Sequence, residues 1–303
     1  MTRPHAVPLS RRSALVLTVA SAAGLMMFAW PLLVRSPDGG QIGPPFVFLA
    51  LLPVVIAVVL SEVTEGGLDP RVLAVLGVLT AVNAVLRGLS AGTAGVELVF
   101  FLLILAGRVF GPGFGFVLGC TSLFASALLT GGVGPWLPFQ MLCSAWVGMG
   151  AGLLPRRATG RAEIALLAAY GVLAAYAFGL LMNLSSWPFV LGIAVPGHTG
   201  ISFVAGDPMT ANLHRFLVFT LITSTGSFDT GRAITTAIAI VLLGPAVLTT
   251  LRRAARRAVV TGSVETPLPP AGSRPGVSPP TQREEVAMST PHSGLRDEAG
   301  SQI

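Results

Sequence analysis

The sequence predicts an all-α integral membrane protein of about eight transmembrane helices, and three observations carry that expectation. Of 303 residues, 52% are hydrophobic and only 11% charged, whereas a soluble domain carries about 25% charged residues. Mean hydropathy is +0.77. Apolar runs long enough to span a bilayer recur along the chain, and the basic residues gather at the ends of those runs.

Crossing a hydrocarbon core of about 30 Å takes roughly 20 apolar residues in a helix. Eight runs qualify: Ala14 to Val34, Pro45 to Leu60, Val72 to Leu89, Ala94 to Phe110, Phe114 to Leu129, Pro138 to Leu154, Ile164 to Leu184 and Ala233 to Leu251. Short cytoplasmic loops retain arginine during insertion. Arg11 and Arg12, then Arg156, Arg157 and Arg161, then Arg252, Arg253, Arg256 and Arg257 are separated by even numbers of spans. All three clusters are therefore expected inside, with both termini cytoplasmic, in a bacterial inner membrane. The apolar stretch Leu213 to Ile222 then has to be something other than a full span. Ser10-Arg11-Arg12 has the look of a twin-arginine export signal, but the charge rule alone accounts for arginine there. From about Val259 the chain turns to Pro, Ser, Thr, Gly and Glu, a composition expected to stay disordered.

In lipid, helices associate through small residues that let backbones approach. Ala74, Gly77, Ala81, Ala84 and Gly88 step by three and four along the third run, with Leu73, Leu76, Leu79 and Leu86 mostly away from them. Similar stripes occupy the fifth run (Gly115, Gly119, Ser122, Ser126), the sixth (Ser144, Gly148, Gly152) and the seventh (Gly171, Ala175, Gly179). Each stripe fits packing within the bundle. The regular stripe of the third run also fits docking to a partner subunit.

Ionisable groups inside a membrane are costly and face the bundle interior or a wet cavity. Asn83 and Arg87 are neighbours on one face near one end of the third run, and Glu97 opens the fourth at the same depth. A charge-paired vestibule of Arg87 and Glu97 is expected. The Gly- and Pro-rich turn before the sixth run brings Trp136 and Gln140 to the mouth of the bundle, and Asn183 ends the seventh. Trp187, His198, Asp207, His214, Arg215, Asp229 and Arg232 read mainly as solvated loop positions.

Several function classes are disfavoured. All 19 basic residues are arginine, so the lysine of a phosphate-binding P-loop is missing and the chain is not its own ATPase. The four histidines never fall at i,i+4 and no HExxH occurs, so neither a metal nor another cofactor is expected. Cys120 and Cys143 lie in apolar runs without CxxC spacing, as buried core residues do. No GxSxG marks a hydrolase. Rings of charge suited to a channel are missing, and the basic residues do not form a nucleic-acid face. A stand-alone secondary carrier remains the alternative, although no inverted repeat is visible.

The segments RVFGPGFGFVLG at 108–119, Ser126 and GPWLPFQM at 134–141 resemble the substrate-binding (S) components of energy-coupling factor (ECF) vitamin transporters, actinobacterial members especially. The resemblance implies a six-helix S-component core over residues 63–258, preceded by two extra helices in 1–62 and followed by the tail 259–303. It implies a non-enzymatic importer subunit that captures a vitamin-like molecule outside, cobalamin-type cargo being favoured. Release inside requires a transmembrane coupling subunit and two ABC-type ATPases. Asn83, Arg87, Glu97, Trp136, Gln140 and Asn183 are then candidate ligand positions, and Ala74, Gly77, Ala81 and Ala84 the docking surface.

Overall fold

The computed structural model describes residues 7, 9–33, 54–55, 57–59, 61, 70–90, 95–187, 200–204 and 206–262, all within the compact unit Met1–Glu265. Most of the second apolar run, and the tail beyond Gly262, lie outside the described residues. The helices are α1 (Arg11–Leu33), α2 (Pro70–Ser90), α3 (Val99–Phe110), α4 (Pro112–Thr130), α5 (Leu137–Leu153), α6 (Arg161–Ser186), α7 (Met209–Thr220) and α8 (Thr230–Gly262). A π-helical segment, Leu221–Asp229, joins α7 to α8. There is no strand among the described residues.

Among the described residues, five helices are long and apolar enough to cross a membrane: Arg11–Ala29, Pro70–Leu89, Pro112–Thr130, Arg161–Ser186 and the continuous stretch Met209–Ala258. The fourth apolar run is shorter than its hydropathy indicates. Helix α3 begins at Val99 and has 12 residues, or about 18 Å of rise. All of them are buried, which makes α3 the hub of the bundle. Leu213 to Ile222, expected to be something other than a full span, is not an element of its own. It continues through the π-helical segment into α8, which carries Pro245 internally and runs to Gly262, past the boundary expected at 258.

The glycine-rich segment between α3 and α4 has two physical jobs. Gly111 stands at φ 115°, a conformation essentially reserved for glycine, and Pro112 occupies the first turn of α4, where its missing N–H costs nothing. The chain thereby reverses without a loop. Further along, a Cβ on Gly115 would strike the carbonyl of Gly148, and one on Gly148 would strike that of Gly115. Gly119 abuts the backbone of Ser144 and Ala145, and Gly152 abuts Gly111 and Pro112. The stripes of the fifth and sixth runs are thus the two sides of one backbone-to-backbone crossing. Gly107 of α3 also meets Gly148.

Helix α1 packs on the outside of this pair. Trp146 Nε1 donates to Ser21 Oγ at 2.9 Å, and Phe28 meets the Phe139 ring edge-on, centroids 4.9 Å apart. The Val7 backbone N–H reaches the Phe110 carbonyl at 3.0 Å.

One end of the bundle, here called proximal, is closed by charge. Arg108 in the last turn of α3 donates from Nε to Glu163 Oε1 at 2.9 Å and from Nη1 to the Leu154 carbonyl at 2.9 Å. Arg252 of α8 donates from Nη2 to both Glu163 oxygens, at 2.7 and 2.8 Å. A cation at a helix C-terminus and a carboxylate in the first turn of α6 also oppose their helix dipoles favourably. Glu163 carried no role in the sequence reading, and Arg252 was read only as a topology signal.

Two predictions follow from this packing. Gly148→Val forces a branched side chain into backbone and is expected to cost at least about 3 kcal/mol, whereas Gly77→Val, with nothing within 4 Å, is expected to leave stability unchanged. Thermal unfolding in detergent distinguishes them. Glu163→Gln leaves two arginines without their shared carboxylate and is expected to cost about 3–5 kcal/mol. The same unfolding assay checks this, and a wild-type midpoint for Glu163→Gln would show that the network is dispensable.

Candidate functional site

Polar side chains from five helices converge on the opposite, distal end, where α2, α4 and α6 finish and α3, α5 and α8 begin. Arg87 of α2 donates from Nη1 to Ser126 Oγ of α4 at 3.0 Å and from Nη2 to Gln140 Oε1 of α5 at 3.0 Å. One planar guanidinium therefore ties three helices together. Fixed fork geometry suits arginine to this task better than a flexible ammonium would. One helical turn deeper, Asn83 is fully buried, and neither its amide nitrogen nor its oxygen has a hydrogen-bond partner. The hydroxyls of Ser122 and Ser144, four residues inward from Ser126 and Gln140, are likewise buried without a partner.

The other half of the site is built on Arg232, in the first turn of α8. Its Nε donates to Glu97 Oε2 and its Nη1 to Asp229 Oδ1 at 3.0 Å. Asp229 Oδ2 accepts from Ser224 Oγ at 2.8 Å. The guanidinium lies over the Phe178 ring, 4.7 Å from its centroid, and 5.5 Å from that of Phe100. Cation–π contact of this kind strengthens when water is excluded. Asp229 fits because α6 offers Gly179 opposite it, where a Cβ would collide with the carboxylate. π-Helical turns recur at functional sites, and here the segment supplies both Ser224 and Asp229. Asn183 lies one turn beyond Gly179, its amide nitrogen buried and without a partner.

The site brings together Asn83, Arg87, Glu97 and Gln140 as the sequence leads one to expect, but wires them differently. Glu97 pairs with Arg232 and not with Arg87, which stays within its electrostatic reach. Trp136 is half exposed with its ring against Gly134, outside the polar cluster. Asp229 and Arg232, read from sequence as loop positions, are buried and nearly buried in the core of the site. Their spacing of three on one helical face was the available signal. Trp187 is also no solvated residue: its ring is buried against Phe203 and Phe216, and its Nε1 donates to the Ile201 carbonyl at 2.8 Å. Asp207 does pair near the surface, with Arg215 at 2.7 Å, while His198 lies outside the described residues.

Donors, acceptors and aromatic faces are abundant here, and this is the equipment of a binding site. Burial ranks the two carboxylates around Arg232. The Asp229 side chain is 2% exposed and that of Glu97 21%. Asp229→Asn is therefore expected to lower stability by about 3 kcal/mol, against about 1 kcal/mol for Glu97→Gln. Denaturation midpoints of the two variants in one detergent check the order, and the reverse order would mean that Glu97 is the principal anchor.

A family model described as "ECF transporter, substrate-specific component" matches residues 71–261, the span that holds the entire distal site and the proximal charge network. Comparison with curated proteins and with solved structures gives no significant match. The match begins at α2, so α1 lies outside it, and it ends within one residue of the last described turn of α8. The chain belongs to the family of substrate-specific components of ECF transporters and is a multi-pass membrane subunit of such a transporter.

Proposed function

We propose that the protein captures a vitamin or related micronutrient in the distal site, on the outer face of the membrane, and delivers it inside. Delivery depends on a transmembrane coupling subunit and two ABC-type ATPases. The carrying observation is the concentration of buried polar groups at one end of a bundle whose other end is sealed by Arg108, Glu163 and Arg252. The arginine clusters support this orientation, because Arg156, Arg157 and Arg252 belong to the proximal end and basic loops stay inside. Cobalamin-type cargo is the first to test.

The surface supporting partner docking is the face of α2 that carries Ala74, Gly77 and Ala81, all exposed. Gly77 has no atom within 4 Å of an added Cβ, unlike the glycines that pack inside the bundle. Ala84 does not belong to this face, being 1% exposed. It turns inward with Val72, Leu76, Leu79 and Asn83, so the docking stripe is three residues and not four.

Co-expression with a coupling subunit and two ATPases, followed by reconstitution, tests the proposal. Gly77→Leu with Ala81→Leu is expected to reduce ATP-dependent uptake of radiolabelled cobalamin at least about tenfold by preventing close helix approach, with binding to the isolated subunit unchanged. Uptake by the chain alone without ATP would contradict the proposal and favour a secondary carrier. Loss of binding with assembly intact would place the stripe inside the bundle.

A further inference from the structure

The unpartnered groups below the Arg87 fork point to the chemistry of the cargo, an inference that rests on the capture role proposed above. Two hydrogen bonds fix the register of α2 against α4: Thr80 Oγ1 to Thr121 Oγ1 at 2.8 Å, and Arg87 Nη1 to Ser126 Oγ at 3.0 Å. Asn83 falls between these rungs on α2 and Ser122 between them on α4. Both are 0% exposed, and neither has a hydrogen-bond partner for its side-chain polar atoms. Ser144, one turn inward from Gln140 on α5, is in the same condition.

Leaving a buried amide without partners costs about 1–3 kcal/mol per group, and in hydrocarbon there is no water from the solvent side to offset it. Leucine or alanine would pack the same interior at no such cost. Asn183, Thr220 and Thr236 elsewhere in the bundle share this condition; what sets Asn83, Ser122 and Ser144 apart is that all three lie one turn below the arginine that bridges α2, α4 and α5.

The inventory of donors and acceptors narrows what fits. Asn83 offers a donor and an acceptor side by side. A carboxylate can use only the donor and an ammonium only the acceptor, whereas a carboxamide, lactam or ureide edge uses both. The serine hydroxyls rotate to serve either kind of atom. We infer that Asn83 and Ser122 form the recognition site for an amide edge of the transported molecule, with Asn83 making two antiparallel hydrogen bonds to its N–H and C=O.

The test is native mass spectrometry of the purified full-length chain after exposure to the small-molecule fraction of yeast extract supplemented with cobalamin, with thermal unfolding of the ligand-stripped protein alongside. Wild type is expected to retain a molecule whose fragmentation reveals a carboxamide, lactam or ureide. Asn83→Leu and Ser122→Ala are each expected to weaken retention at least about tenfold, the worth of one or two buried hydrogen bonds. Stripped Asn83→Leu is expected to unfold at the same temperature as wild type or higher, which a structural asparagine would not allow. A retained molecule without an amide edge, undiminished retention by both variants, or a lower midpoint for stripped Asn83→Leu overturns this inference while leaving the capture role standing. Retention of nothing by wild type overturns both.

Discussion

The crossing of α4 and α5 at Gly115 and Gly148 is the contact on which the rest of the molecule depends. Lipid gives helices no hydrophobic reason to associate, so closeness of approach decides which pairs form. With each glycine seated against the carbonyl of the other, the two backbones come as near as helices can. That proximity brings Ser126 and Gln140, at the distal ends of the same two helices, within reach of a single arginine. A longer interaxial distance would leave Arg87 able to reach only one of them. The same crossing leaves room for α3 to pack through Gly107 and be enclosed on all sides.

Enclosure of α3 explains why charge sits where it does. A short helix in the middle of the bundle, apolar but for Arg108 in its last turn, cannot itself satisfy polar groups, so they segregate to its two ends. At the proximal end Arg108 and Arg252 share the Glu163 carboxylate, and Arg108 also donates to the Leu154 and Ala158 carbonyls of the α5 to α6 turn. At the distal end Arg232 is paired with Glu97 and Asp229 and lies against two phenylalanine rings, while the neighbouring corner around Asn83 keeps donors and acceptors unused. Under the proposed function, this asymmetry separates a seal from a binding site. The distal end itself divides into a half anchored on Arg232, where Asn183, Thr220 and Thr236 also keep unpartnered atoms, and a receptive half built on α2, α4 and α5.

The sequence makes the fold legible wherever a single helix is concerned. Hydropathy locates α2, α4 and α6 within a few residues, and small-residue spacing identifies both sides of the α4 to α5 crossing. It is less informative where two helices must be known together. Nothing local distinguishes Glu97 pairing with Arg87, ten residues away, from Glu97 pairing with Arg232, which only the tertiary arrangement brings near. Ala84 shares the spacing of Ala74, Gly77, Ala81 and Gly88, yet of the five it alone is buried, because burial along α2 is decided by which neighbouring helix lies against each turn and not by α2's own periodicity. The continuity of α7 with α8 was hidden for another reason: Ser, Thr, Gly and Asp in LITSTGSFD read as a loop, whereas in the structure they line a widened turn whose polar atoms bond to one another and to the helix backbone.

The capture role proposed above requires cargo to bind in the receptive half of the distal end, below the Arg87 fork. An experimental structure of the protein with its retained small molecule measures this most directly. Ligand density is expected in hydrogen-bonding contact with Asn83 and bounded by Arg87, Ser122 and Gln140, with the Arg108, Glu163 and Arg252 network unchanged. Density at the proximal end, or on the α2 surface around Gly77 with Asn83 still unpartnered, would contradict it.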